Sequence, residues 1–305
     1  MDRREFLRAT SSLLLTAQLP AVQYAMGRSL SPQPTPTVYE VEKLSLETTR
    51  TLFEVFGGIR GLCTSDIAQA TVLIKPNLCL SQTDDAGVTT SIQTVEFFCQ
   101  ALIDDGVKKI IIADHTLGQS ADFLASVWHE LPKKYTEVKF VLANVERMYE
   151  PRTVEGKLLK TIAVLKLLSR ADLLLNIATA KHHSGTHVSL AVKNLMGCIW
   201  NRSDLHTKMD LHQAIGDLAI SIKPTINIID ATRVLSTGGP VGPGRLLNEN
   251  RLFASTDIVA VDSVVVSRYN FGGKSLPPNE IAHLQAAYQN GAGEIDLDKI
   301  KIERI

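Results

Sequence analysis

Residues 180–197 read AKHHSGTHVSLAVKNLMG and crowd three histidines and two lysines into a segment that opens as a buried strand and closes as an apolar helix. Histidine titrates near neutrality and suits general acid–base work. Lysine supplies a cation for a carboxylate or a phosphate. Lys181, His183 and Lys193, joined by His206 further along, are therefore the candidate catalytic residues. Asn194 interrupts the same apolar helical pattern, where asparagine is a mediocre helix former and offers a core nothing. A bland alternative for Lys193 is a side chain that snorkels its ammonium to solvent. His183 and His187 stand four apart, which would share one helix face, although Ser184 and Gly185 between them argue for a loop. Imidazole suits a divalent metal, which is one candidate cofactor, but no HExxH pattern is present and the metal is left unspecified.

A second set of polar residues closes short apolar runs. Lys75 and Asn77 end VLIKPNL, Asp114 and His115 end KKIIIADH, and Asp230 ends TINIID. A buried lysine needs a carboxylate, a bound anion or deprotonation. Asp230 and Asp262 are the partners on offer. Lys75, Asn77, Asn194, Asp230 and Asp262 are thus the candidate substrate-binding residues. Lys75 as a solvated loop lysine and Asp114 as a helix cap are the alternatives.

The elements that would carry these residues follow from periodicity. ATVLIKPNL, KKIIIADH, VKFVLAN and the run from about Asp172 to Ala178 read as buried strands. TSIQTVEFFCQALIDDG has helical spacing and a glycine stop, and SADFLASVWHELPKKY reads as a further helix. A hairpin is expected around Glu155 and Gly156, a helix from near Val188, and a last strand in DKIKIERI. Continuous apolar strands alternating with helices predict an α/β fold, a largely parallel central sheet covered by helices in a single main domain. Ligands of such sheets bind beyond the carboxyl ends of the strands, where Lys75, Asp114, Lys181 and Asp230 would converge. The loop STGGPVGPGR at 236–245 lacks the spacing of a phosphate loop.

Lys plus Arg and Asp plus Glu are both 32 in 305 residues, so no bulk charge recommends a nucleic acid as partner. No apolar run is long enough for an uninterrupted membrane span. Four cysteines without a CxxC pair argue against an iron–sulfur cluster or a zinc knuckle. Residues 1–27, with Arg3 and Arg4 ahead of an uncharged apolar stretch, read as a twin-arginine signal peptide, which makes the export machinery a partner and the protein periplasmic or otherwise exported. Residues 28–37 read as a Ser/Pro-rich linker and 38–305 as the α/β domain.

The order of VLIKPNL, ADLLLNIATAKHHSGTHVSLAVKNLMG, IIDATRVLSTGGPVGPG and STDIVAVDSVVVSR resembles the family known as domain of unknown function 362, from about Thr71 onward. The lysine–x–histidine pattern of that family falls on Lys181 and His183, its aspartate on Asp230, and its AVD on Ala260, Val261 and Asp262. Many of its members carry a cysteine-rich ferredoxin-like module. No such motif stands in this sequence, so no built-in iron–sulfur cluster is expected. The resemblance implies a fold and a site rather than a reaction. The expected function is an exported enzyme acting on a small anionic substrate, a carboxylate or a phosphate, with Lys/His/Asp acid–base groups and metal assistance as an option. The alternative is a non-catalytic periplasmic protein that holds a metal or an anion for a separate redox partner.

Overall fold

A computed structural model describes residues 35–305 apart from 64 and 118–120, and Thr35–Ile305 form one compact unit. The segment expected to be a twin-arginine signal and all but the end of the expected linker lie outside the described residues.

The sheet has nine strands: β1 (Thr37–Val41), β2 (Thr71–Pro76), β3 (Lys109–Asp114), β4 (Val138–Leu142), β7 (Leu173–His183), β8 (His187–Ser189), β9 (Ile226–Leu235), β10 (Leu246–Ser255) and β11 (Lys301–Arg304). Their order is β11-β1-β10-β9-β7-β2-β3-β4, with β8 paired to β7. The core run β9-β7-β2-β3-β4 is parallel throughout, so these strands end at one common edge. Antiparallel β10 joins β9 to β1, which makes the sheet mixed but largely parallel. The β5 (Tyr149–Thr153) and β6 (Thr161–Leu165) hairpin, separate from this sheet, forms around Glu155 and Gly156 as expected, through the loop 154–160.

Helices cover both faces. Successive strand residues point to opposite sides, so Val72 and Ile74 pack with α1 (Leu46–Val55), α2 (Gly58–Leu62), α3 (Ile92–Asp104), α4 (Ala121–Trp128) and α5 (Glu130–Lys134). Leu73 faces the other layer, which holds α6 (Ala191–Asn194), α7 (Arg202–Thr207), α8 (Leu211–Ser221), α9 (Ile258–Arg268) and α10 (Ala282–Gln289). Burial on both faces explains the unbroken apolar strand sequences. Val95, Phe98, Cys99 and Leu102 form the buried stripe of α3, and Gly106 follows its end at φ 104°, a conformation that favours glycine.

Three local readings differ from the structure. The helix in 120–135 is two, because the ring of Pro132 lacks an amide and crowds the carbonyl four residues back, at Trp128. The strand through Ala178 continues to His183, since Lys181, His182 and His183 pair with Ser189, Val188 and His187 in a short hairpin. The helix expected from Val188 is only the α6 turn followed by a tighter 3₁₀ turn at Leu195–Cys198.

Candidate active site

The parallel strand ends open into a pocket of about 430 Å³. Its floor comes from β2 and β3. Lys75 and Asp114, both buried, form an ion pair with Nζ 2.8 Å from Oδ1. Lys75 also donates to the Pro76 carbonyl at 2.7 Å and to Asn194 Oδ1 at 3.0 Å. Asp114 accepts further from the Leu78 and His115 amides at 2.7 and 2.9 Å. Gly197 makes this close packing feasible: a Cβ there would stand 2.1 Å from Asp114 Oδ1 and 2.7 Å from Lys75 Nζ.

The segment 77–91 folds back over the strand ends. Thr90 bonds to the Asn77 amide through its hydroxyl and to the Asn77 carbonyl through its own amide, and its hydroxyl donates to the Ile177 carbonyl. The segment thereby presents the Val88 carbonyl to Lys181, whose Nζ donates to it at 2.6 Å and more weakly to Asn77 Oδ1 at 3.4 Å. Burial pulls the Lys181 ammonium down to about 8, with Lys193 and Lys75 adding repulsion.

The α6 turn supplies Lys193 and Asn194. Asn194 joins a buried amide chain, donating to Asn176 Oδ1 at 2.8 Å, while Asn176 donates to Asn227. Lys193 is 8 % exposed and its ammonium contacts the Met196 sulfur at 3.6 Å. Burial pulls it down to about 8, and Arg202 adds repulsion. His183 Nδ1 accepts from the Gly185 amide at 3.0 Å, which assigns the proton of the neutral ring to Nε2. Burial, then the charges of Lys193 and Lys181, push His183 down to about 3, so it is a neutral hydrogen-bonding group at ordinary pH rather than a titrating acid. His206 on α7 is exposed at the rim, and burial of part of its ring together with Lys193 and Arg202 lowers its pKa.

Lys75, Asn77, Lys181, His183, Lys193, Asn194 and His206 line this one pocket. Asp230 and Asp262 do not. Asp230 accepts from the Ser91 amide at 2.7 Å and from the Thr232 amide and hydroxyl, so it ties the 77–91 segment to β9. Asp262, on α9, accepts from the Ala191 and Val192 amides at 2.8 and 3.0 Å and holds the start of α6. Among the described residues the one pocket lysine with a carboxylate partner is Lys75, paired to Asp114, because the parallel β2–β3 register sets the ends of those strands side by side.

Pocket residues not singled out from the sequence include Cys79, Met196, Arg202 and the apolar rim of Leu80, Leu117, Pro240 and Val241. The Gly-Pro loop brings the last two: a Cβ on Gly239 would lie 1.8 Å from the His182 carbonyl, so only glycine allows the loop to lie against β7. Arg202 donates to the His115 carbonyl at 2.6 Å, and the His115 ring stacks on Trp200. Among the described residues no group of three or more His, Cys, Asp or Glu gathers to hold a metal. The donor set of the pocket therefore does not fit a metal held by protein ligands alone.

Residues 72–267 match the family model described as Domain of unknown function (DUF362). No curated protein and no solved structure matches the chain.

Proposed function

The chain belongs to the DUF362 family, and on that footing we propose that it is an exported enzyme whose pocket takes a small anionic substrate, a carboxylate or a phosphate. The observation that carries this reading is the charge inventory. Among the described residues that line the pocket the only carboxylate is Asp114, and it is already paired with Lys75. Buried Lys181 and Lys193 and half-buried Arg202 bring their cations to the same cavity without a carboxylate partner among the described residues. Buried unpaired cations favour a bound anion, which would restore the interaction lost with water.

The same groups supply acid–base capacity. Amines that titrate near 8 exchange protons close to working pH. Neutral His183 can donate a hydrogen bond, and His206 can pass protons to solvent. Calorimetric titration with lactate, acetate and inorganic phosphate near pH 7 tests the binding, and turnover assays on the anions that bind test the chemistry. Binding of at least one is expected, weakened about tenfold or more in Lys181→Met. A protein that binds none of them, with the fold intact, removes the anion reading.

A further inference from the structure

The three pocket lysines differ in what holds their ammonium groups. Lys75 donates to three oxygens, one of them a carboxylate, and is a fixed cation. Lys181 donates to two neutral oxygens, of Val88 and Asn77. Lys193 meets only the thioether of Met196 at 3.6 Å among the described residues, although it is nearly enclosed and faces the cavity. A thioether is a weak acceptor. An ammonium so placed forgoes the hydrogen bonds it would make in water, whereas a neutral amine forgoes little. The neutral amine is also a nucleophile, and desolvation is one of the ways proteins activate it.

Resting on the anionic-substrate reading above, we propose that Lys193 forms an imine with a small 2-oxo acid whose carboxylate is held by Lys181. The Lys193 Nζ lone pair attacks the carbonyl carbon, and the C=O π pair moves to oxygen, which takes up a proton. The nitrogen of this carbinolamine loses its extra proton to water or to His206. Its lone pair then forms the C=N bond as the oxygen leaves with a second proton as water. Neutral amine, oxo acid and one proton give a protonated imine and water, with no oxidant or reductant. The cavity of about 430 Å³ holds a molecule of this size. The lowered pKa of Lys193 agrees with this role, because a larger share of it is neutral near pH 7 than of an exposed lysine.

The test is reductive trapping. The full-length protein is incubated with pyruvate or with glyoxylate and cyanoborohydride near neutral pH, digested, and mapped by mass spectrometry. The expected result is one adduct on Lys193, formed at least about tenfold faster than on exposed lysines, whose neutral fraction is far smaller. It should be missing from a folded Lys193→Met variant. Adducts confined to exposed lysines, or an adduct on Lys181 instead, would overturn the proposal. Because the adduct is mapped in the wild-type chain, the result does not depend on the variant folding. Titration with lactate, which has the carboxylate but a hydroxyl in place of the 2-oxo group, separates the imine from the anion site beneath it. Lactate binding without labelling discards the imine and leaves the anion site, while loss of both discards both.

Discussion

Lys193 carries the sharpest consequences at the residue scale. Replacing it with Met removes a buried cation that has no carboxylate to orphan among the described residues, so stability near neutral pH should change by about 1 kcal/mol or less, or rise, while anion affinity falls. The sign with pH follows from linkage. The folded pKa is about 8, against about 10.4 for an unfolded lysine. Between those values the unfolded chain holds more protons, so wild-type stability rises with pH there. Below about 8 both states are protonated and the native state bears the full cost of burial. The Tm of wild type relative to Lys193→Met should therefore climb from pH 8 to 10. A constant difference would show that the ammonium is not desolvated. Cys79, Lys181, His183, Arg202 and His206 are the titratable and charged pocket groups that interact with Lys193, and a bound anion raises both depressed lysines. Binding near pH 8 should then take up protons, visible as a buffer-dependent calorimetric enthalpy. Gly197→Ala has a different origin. Its Cβ would push into the Lys75–Asp114 pair, and a broken buried pair costs about 3–5 kcal/mol, measurable by urea denaturation.

At the scale of elements, the short α6 turn depends on α9. Asp262 accepts two buried amides at its start. Burial raises the Asp262 pKa to about 8, so the contact holds with the acid partly neutral near that pH. Asp262→Ala leaves both amides without a partner and should cost about 3 kcal/mol. It should also weaken ligand binding, since Lys193 and Asn194 ride on that turn. Asp262→Asn retains one acceptor oxygen and should recover part of the loss in both measurements. Equal effects of Ala and Asn on the denaturation midpoint would exclude the hydrogen-bonding account. Asp230 acts likewise on the 77–91 segment, whose position sets the Val88 carbonyl under Lys181.

For the whole molecule, parallel β2, β3 and β7 deliver their last residues to one edge, and helices on both faces leave that edge as the opening. The proposed export belongs to this scale. Arg3 and Arg4 precede an uncharged apolar stretch, the pattern of a route that carries folded proteins. Changing both arginines to lysine should leave full-length precursor in the cytoplasm, as read by fractionation and intact mass. Unchanged fractionation of the double variant would remove the twin-arginine assignment.

Local sequence was enough to place the strands of the parallel core, because unbroken apolar runs such as VLI before Lys75 and IIIA before Asp114 are satisfied by burial on both faces, whereas β1 and β8 carry no such run. It was also enough to put polar groups at the ends of those runs. Which of them meet is a tertiary matter. Whether Lys75 pairs with Asp114 or Asp230 depends on strand order and register, which are long-range properties with no local signature. Strand β7 outran its apolar stretch because the hairpin to β8 supplies hydrogen bonds to the Lys181–His183 backbone that periodicity does not encode. Asp230 and Asp262 read as substrate-binding acids and lysine partners, yet their partners are backbone amides of distant segments, and an amide has no side chain by which a sequence could announce it.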